Sequence, residues 1–285
     1  MINNISTEAI YDVDPEIARG VADGEDGASE ALKTALRTYE QRHLLATPGY
    51  LILSGLKLLD EVAARRFVLA VSAMLGEPMP DDFNGTLIRE VRYRGVTLEE
   101  ATTARYSDTR QGGNLHTDGM HRPGAIPAYF TLYCIRQAVV GGAIVLVHVD
   151  DLVRELRQDP NVVAALREQV HFDTRTEDPG HPSTVQRPIL EIEGQAVRIV
   201  YLREYVDSGH RRPGIPPLSP AQIRAMDKLD SLLDRADLQT HRRLEPGQLI
   251  VVNNRTIVHG RTPFQPEPSE GKARLLLRTW IGVRQ

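Results

Sequence analysis

The chain has 285 residues, 41% of them hydrophobic and 25% charged, with a formal net charge of −4. That composition can fill a large core, and its acidic balance argues against a general nucleic-acid binder. No run approaches the ~20 apolar residues of a membrane-spanning helix, and with Cys134 as the one cysteine neither an intrachain disulfide nor a thiolate metal cluster can form.

The first 26 residues are polar and acidic, without the basic start and apolar middle of a signal peptide, so they read as a polar lead and the expected compartment is cytoplasmic. A helix is expected near 28–41, and a strand at Gly49-Tyr50-Leu51-Ile52-Leu53. Helical periodicity in Val62, Phe67, Val68, Val71 and Leu75 marks 59–75, which Gly76 and Pro78 stop. A β segment follows over 87–96, then a polar, irregular stretch over 97–111 that could cover a site. Cys134 falls in an apolar run, 128–135, and is expected to be inert core. An apolar strand over 141–149 leads into a helix capped by Asp150, with Leu152, Val153 and Leu156 inward.

Residues 159–243 read as an insertion of helix, hairpin and helix. The hairpin is 189–201, turning at Glu193-Gly194, and the closely spaced glycines and prolines of 206–220 predict a surface loop. The last helix spans 218–238, with Ser219 or Pro220 at its start and Ile223, Met226, Leu229 and Leu233 on one stripe. Leu249-Ile250-Val251-Val252 is a buried strand, and 274–281 closes the chain as β structure. No repeat or linker divides the chain, so one domain over 1–285 is expected.

The most specific chemistry lies in His116-Thr117-Asp118 and His259. Residues two apart on an extended strand share a face, so His116 and Asp118 can reach one ion, and His259 supplies a third ligand from after the 249–252 strand. Two imidazoles and a carboxylate leave coordination positions open, the ligand set of non-heme Fe(II) and oxygen chemistry. Arg274 and Arg278, four apart on the closing strand, share a face and could hold a carboxylate.

On these residues, together with Leu75-Gly76-Glu77-Pro78, Gly141-Gly142 and Asn254-Arg255-Thr256-Ile257-Val258-His259-Gly260-Arg261, the sequence resembles the Fe(II)/2-oxoglutarate-dependent dioxygenases of the taurine dioxygenase and clavaminate synthase-like family, over about 50–281. The resemblance implies a mainly β fold with helices, a double-stranded β-helix (jelly roll) core carrying the helical and hairpin insertion. It implies His116, Asp118 and His259 as iron ligands and catalytic centre, Arg274 as the anchor of the distal carboxylate of 2-oxoglutarate, and Arg278 as a second arginine touching cosubstrate or an anionic substrate. Relatives often carry a threonine two residues after the Gly-Gly pair; here that position is Ile144. Asp118 retains the carboxylate that halogenating members lack, so halogenation is not expected.

The activity implied is oxidation of an unactivated C–H bond of a small anionic or zwitterionic substrate, an amino acid or natural-product intermediate, with release of succinate and CO2. Dioxygen is the oxidant. Expected substrate contacts are Arg278, Arg105, Gln111, Asn114, Met120, Arg122 and Arg212, with Arg203, His210 and Arg211 also in reach. No nucleic-acid or membrane partner is expected. His121 is expected outside the ligand set, on the surface or behind it; His148 as a core or edge histidine; His171 and His181 in solvated loop. Two alternatives remain: a hydrolase or isomerase using the same ligands for zinc, and a silent binding protein.

Overall fold

A computed structural model describes residues 9–97, 103–194, 196–267 and 269–283. The chain enters through a short strand, β1 (Ile10–Asp12), and two helices, α1 (Pro15–Asp23) and α2 (Asp26–Tyr39), the latter prolonged by a π-helical turn over Glu40–Leu44. The stretch read as a polar lead is therefore regular structure from β1 onward, and residues 1–8 lie outside the described residues. Asp14 accepts hydrogen bonds from the amides of Glu16 and Ile17, and Pro15 occupies the first turn where its missing N–H costs nothing. These local capping signals fall within the stretch read as polar lead.

β2 (Tyr50–Ser54) and α3 (Glu61–Leu75) appear where periodicity places them. In α3, Phe67, Val68, Val71 and Leu75 are buried, whereas Val62 in the first turn is 63% exposed. β3 (Glu77–Met79) and β4 (Arg89–Val91) are short edge strands, the second replacing the longer 87–96 segment expected. The expected loop at 97–111 is described only in part: 98–102 lie outside the described residues, and the rest contains a single helical turn, Tyr106–Asp108, that is buried.

Two sheets form the core. β5 (Gly113–His116), β6 (Tyr129–Arg136) and β7 (Ile144–His148) precede α4 (Val149–Leu156), which starts two residues earlier than Asp151 because the His148 side chain, not Asp150, caps it. Leu152, Val153 and Leu156 are buried as expected. After α5 (Pro160–Leu166) come the hairpin β8 (Gln169–Asp173) and β9 (Thr184–Pro188), a second hairpin β10 (Leu190–Glu193) and β11 (Ala196–Ile199), α6 (Arg203–Gly209) and α7 (Pro220–Leu233). The first hairpin holds His171, whose surroundings read as loop in the sequence, and α6 takes the start of the expected 206–220 loop. In α7, Ser219 and Gln222 form a capping box, and Met226, Leu229 and Leu233 are buried while Ile223 is 39% exposed.

The chain returns through β12 (Gln239–Arg242), β13 (Leu249–Asn253), β14 (Ile257–Arg261) and β15 (Leu275–Gly282). The larger sheet has the order β1-β2-β13-β6-β15-β3 with β4 also on β15, and the smaller has β12-β7-β14-β5. Because β12 pairs with β7, the last residues assigned to the insertion belong to the core.

Apolar side chains from both sheets, including Ile52, Phe130, Leu132, Ile144, Leu146 and Trp280, form one buried cluster; this is the jelly-roll sandwich, with α1 to α3 covering the outer face of the larger sheet. The insertion packs Leu229, Val206 and Phe172 against Val145, Val147 and Val258 of the smaller sheet. Cys134 is fully buried and its thiol is pushed up to about 11 by burial, as an inert core residue should be. Among the described residues no helix is long and apolar enough to cross a membrane.

Candidate active site

β14 runs antiparallel to β5 with His259 directly opposite His116, so sheet pairing alone brings two imidazoles together, ring centroids 4.3 Å apart. β5 ends at His116, and Asp118 lies in the turn beyond it rather than on the strand. Hydrogen bonds from outside the sheet position that turn. The Asp118 amide donates to Asn254 Oδ1 at 2.9 Å, and Asn254 Nδ2 donates to the carbonyls of Asp118 and Pro127. Thr117 is tied to the insertion, its hydroxyl to Ile199 O and its amide to Tyr201 O.

The outcome is a set of three ligand atoms, from His116, Asp118 and His259, all within 4.8 Å of one another. His116 Nε2 is 3.7 Å from Asp118 Oδ1 and His259 Nε2 is 3.9 Å from Oδ2. His116 Nδ1 lies 2.9 Å from Asn114 O, which fixes the proton there and leaves the Nε2 lone pair facing Asp118. Asn114 takes a left-handed backbone, φ 47°, to present that carbonyl. Phe130 stacks on His259 and the edge of Tyr106 meets His116.

Burial drives His259 well below the ordinary histidine range, and His116 adds to this, so its imidazole is neutral. Burial raises the Asp118 carboxyl, but Arg278 and the two imidazoles outweigh it and hold the group far below the usual carboxylate range. Asp118 Oδ2 and His259 Nδ1 are buried without a hydrogen-bond partner. An ionised carboxylate with a buried, unpartnered oxygen, beside the neutral His259 imidazole and His116 Nε2, is the donor set a divalent transition metal requires.

One cavity is lined by His116 and His259, by Tyr106 and Ile144, and by Arg261 and Arg274. Arg274 is 4% exposed; its Nε donates to Gln137 Oε1 while Nη1 is buried with no partner, and the guanidinium lies over Phe264. Burial, then repulsion from Arg261, lowers it to about 9. Gly142 is required here: its φ is +75°, and a Cβ would stand 3.0 Å from Arg274 Nε and 2.8 Å from Gln137 Oε1.

Arg278 lines the same cavity, as the shared strand face predicts. Its guanidinium has two carboxylate partners: Nη1 donates to Asp118 Oδ1 at 2.8 Å, and Nε and Nη2 donate to Asp81 Oδ2. Asp81 is fully buried and also receives Arg105 at 2.9 Å, with Arg89 3.7 Å away; Arg89 in turn holds Asp108. Asp81, Arg89 and Asn254 are the site residues that sequence reasoning missed. Only Asn254 had a visible signal, as part of the stretch ending in His259-Gly260-Arg261.

The remaining expected contacts divide. Arg105 and Met120 are buried or nearly so beside this network, Gln111 is half-buried, and Asn114 serves His116 through its carbonyl. Arg122 lies over the Phe83 ring and donates to Asp82 O. The insertion residues are engaged within the insertion itself: Arg212 holds Asp173 bidentately, Arg203 holds Asp207, Asp227 and Asp230, and His210 binds His171 N and Pro216 O. Arg211 is exposed. His121 is buried outside the ligand set, against Tyr205 and Trp280; His148 caps α4, and His181 stacks on Phe83.

Two histidines on paired strands and a carboxylate in the adjoining turn of a double-stranded β-helix define the class of facial-triad metalloenzymes. The sequence model described as "Taurine catabolism dioxygenase TauD, TfdA family" matches residues 18–280, and the chain belongs to that family. It is 27% identical over 228 residues to FR-33289 synthase of Streptomyces rubellomurinus, a match covering 78% of this chain and 65% of that protein. To a uridine-5'-phosphate dioxygenase of an Amycolatopsis species it is 25% identical over 210 residues, covering 72% of this chain and 75% of the other.

Among solved structures, asparagine oxygenase in complex with Fe(II), (2S,3S)-3-hydroxyasparagine and succinate superimposes with a TM-score of 0.74 at 19% identity, covering 97% of this chain and 94% of its own. The non-heme iron oxygenase OrfP with Fe and α-ketoglutaric acid gives 0.68 at 17%, covering 96% and 93%. Both establish the jelly-roll fold expected from the sequence.

Proposed function

We propose that this chain is an Fe(II)- and 2-oxoglutarate-dependent oxygenase acting on a small anionic or zwitterionic substrate. The observation that carries this is one cavity lined both by His116 and His259 of the facial triad and by Arg274, whose Nη1 is buried without a partner. His116, Asp118 and His259 would hold iron, and bound iron with chelated 2-oxoglutarate supplies the activation of dioxygen that oxidises a substrate C–H bond. The balance is one dioxygen, one 2-oxoglutarate and one R–H giving succinate, CO2 and R–OH.

The chain's own part is positional. Arg274 binds the distal carboxylate and so directs the 2-oxo acid end toward the triad. Ile144, Leu132 and Tyr106 keep the cavity wall dry. Arg278 acts on Asp118, holding one carboxylate oxygen while the other stays available, and is better read as a positioning residue than as a lone anchor for substrate. One domain, with an insertion that ends before β12, fits the shared core cluster.

The substrate reading draws on the relatives rather than on open cations: around the buried Tyr205, the guanidiniums of Arg105, Arg89 and Arg278 already hold the carboxylates of Asp81, Asp108 and Asp118. The relatives include a uridine-5'-phosphate dioxygenase and an asparagine oxygenase. The test is succinate release from 2-oxoglutarate with purified protein, Fe(II) and a panel of amino acids and phosphorylated small molecules. Substrate-stimulated succinate formation that needs iron and dioxygen and vanishes in His116→Ala supports the reading; turnover of any panel member with zinc and without dioxygen would replace it with metal-assisted hydrolysis.

A further inference from the structure

Resting on the cosubstrate reading above, we propose that Arg261 is a second anchor for the distal carboxylate of 2-oxoglutarate, forming with Arg274 a two-guanidinium clamp. The register of the smaller sheet supplies the first ground. β14 pairs with β7 so that Arg261 lies directly opposite Ile144, and directly opposed residues in an antiparallel pair extend from the same face. Ile144 is the aliphatic residue two positions after Gly141-Gly142, where a hydroxyl could otherwise assist the arginine. The cross-strand neighbour of that missing donor is a cation.

Location gives the second ground. Arg261 and Arg274 line one cavity with His116 and His259, and both guanidiniums flank the Phe264 ring, at 5.5 and 4.9 Å from its centroid. Arg261 is 5% exposed, and its Nη2 donates to Tyr106 O, Thr109 O and Thr109 Oγ1 while Nε is buried with no partner. Arg274 has Gln137 Oε1 on Nε and nothing on Nη1. The hydrogen bonds of these two neighbouring cations end on neutral oxygens alone. Two buried like charges that line one cavity, each with a buried N–H that lacks a partner, call for an anion, and a carboxylate has four lone-pair sites with which to receive both.

The alternative for Arg261 is a purely structural strap on the turn 106–109, and the experiment separates the two. In the Fe(II)-loaded full chain under anaerobic conditions, 2-oxoglutarate and pyruvate are titrated by calorimetry. Pyruvate carries the same 2-oxo acid end without the distal carboxylate. Arg261→Met is expected to weaken 2-oxoglutarate binding by about ten- to a hundredfold while leaving pyruvate within about threefold, the loss of one charge-assisted contact. Adding Ile144→Thr to that variant is expected to restore part of the 2-oxoglutarate affinity and none of the pyruvate affinity. If Arg261→Met does not fold, Arg261→Lys, which keeps the charge but loses the planar fork, should show the same selectivity in smaller measure.

Equal losses for both acids, or no loss for either, would overturn the assignment and leave Arg261 as a strap. Wild-type protein that binds neither acid would overturn the cosubstrate reading itself.

Discussion

Asn254→Ala removes the side chain that holds Asp118 in the turn. Asn254 is 1% exposed and makes three hydrogen bonds of 2.9–3.0 Å, accepting from the Asp118 amide and donating to the carbonyls of Asp118 and Pro127. Each contributes about 1 kcal/mol net, and each buried partner left unsatisfied costs about 1–3 kcal/mol. Water entering the vacated space can satisfy one or two of them, so the expected loss is about 3–5 kcal/mol in the metal-free protein. Metal affinity should fall as well, by about ten- to a hundredfold, because the carboxylate loses its fixed approach. Urea denaturation with and without Mn(II), together with competitive metal titration, measures both. A variant within about 1 kcal/mol of wild type that also keeps its metal affinity would refute the claim that this amide positions the third ligand.

The histidines set a pH dependence. Burial, helped by Arg105 near His121 and by His116 near His259, holds both far below 6.5, so the unfolded chain binds protons that the folded chain does not. Stability is then complete above about pH 7.5 and falls as pH drops below 6.5 toward the depressed folded values, by up to about 1.4 kcal/mol per unit for each histidine. Urea midpoints of the metal-free protein from pH 8 to 5 follow this, and His121→Gln should roughly halve the slope. Arg278→Gln leaves Asp118 without its cation and should destabilise the metal-free protein by about 3–5 kcal/mol, with a smaller loss when Mn(II) is bound; equal losses with and without metal would contradict its role on Asp118. Leu229→Ala, at a fully buried position of α7, should cost about 2–5 kcal/mol by calorimetry, and two separate melting transitions in place of one would show that the insertion is not part of the same cooperative core.

The ligand set was legible in the sequence because its chemistry is local: a histidine and an aspartate two apart, and a third ligand after an apolar strand. Even there the strand ends at His116, and what positions Asp118 is Asn254, 136 residues away in the chain. Asp81 gave no signal, since its carboxylate acquires meaning only when β4, the 106–108 turn and β15 fold around it and deliver Arg89, Arg105 and Arg278. The same long-range pairing occupies Arg278, which sequence spacing alone presented as an open anion receptor. Helices with strong periodicity were placed within a few residues, while β1 and α1 were hidden by polar surface positions, and β12 by a pattern, Gln239-Thr240-His241-Arg242, that says nothing about pairing with β7. Residues of the insertion that looked like substrate contacts are matched by aspartates of the insertion itself, Arg203 by nearby Asp207 and by Asp227 and Asp230, and Arg212 by Asp173, 39 residues away.

The central claim is that the triad and Arg274 together hold iron and 2-oxoglutarate. Anaerobic addition of Fe(II) and then 2-oxoglutarate to the metal-free protein tests it most directly, by the weak visible charge-transfer band of the iron chelate. The account predicts a band in wild type that is absent in His116→Ala and Asp118→Ala and that needs far more 2-oxoglutarate in Arg274→Ala. Tight Fe(II) binding with no band at any 2-oxoglutarate concentration would contradict it.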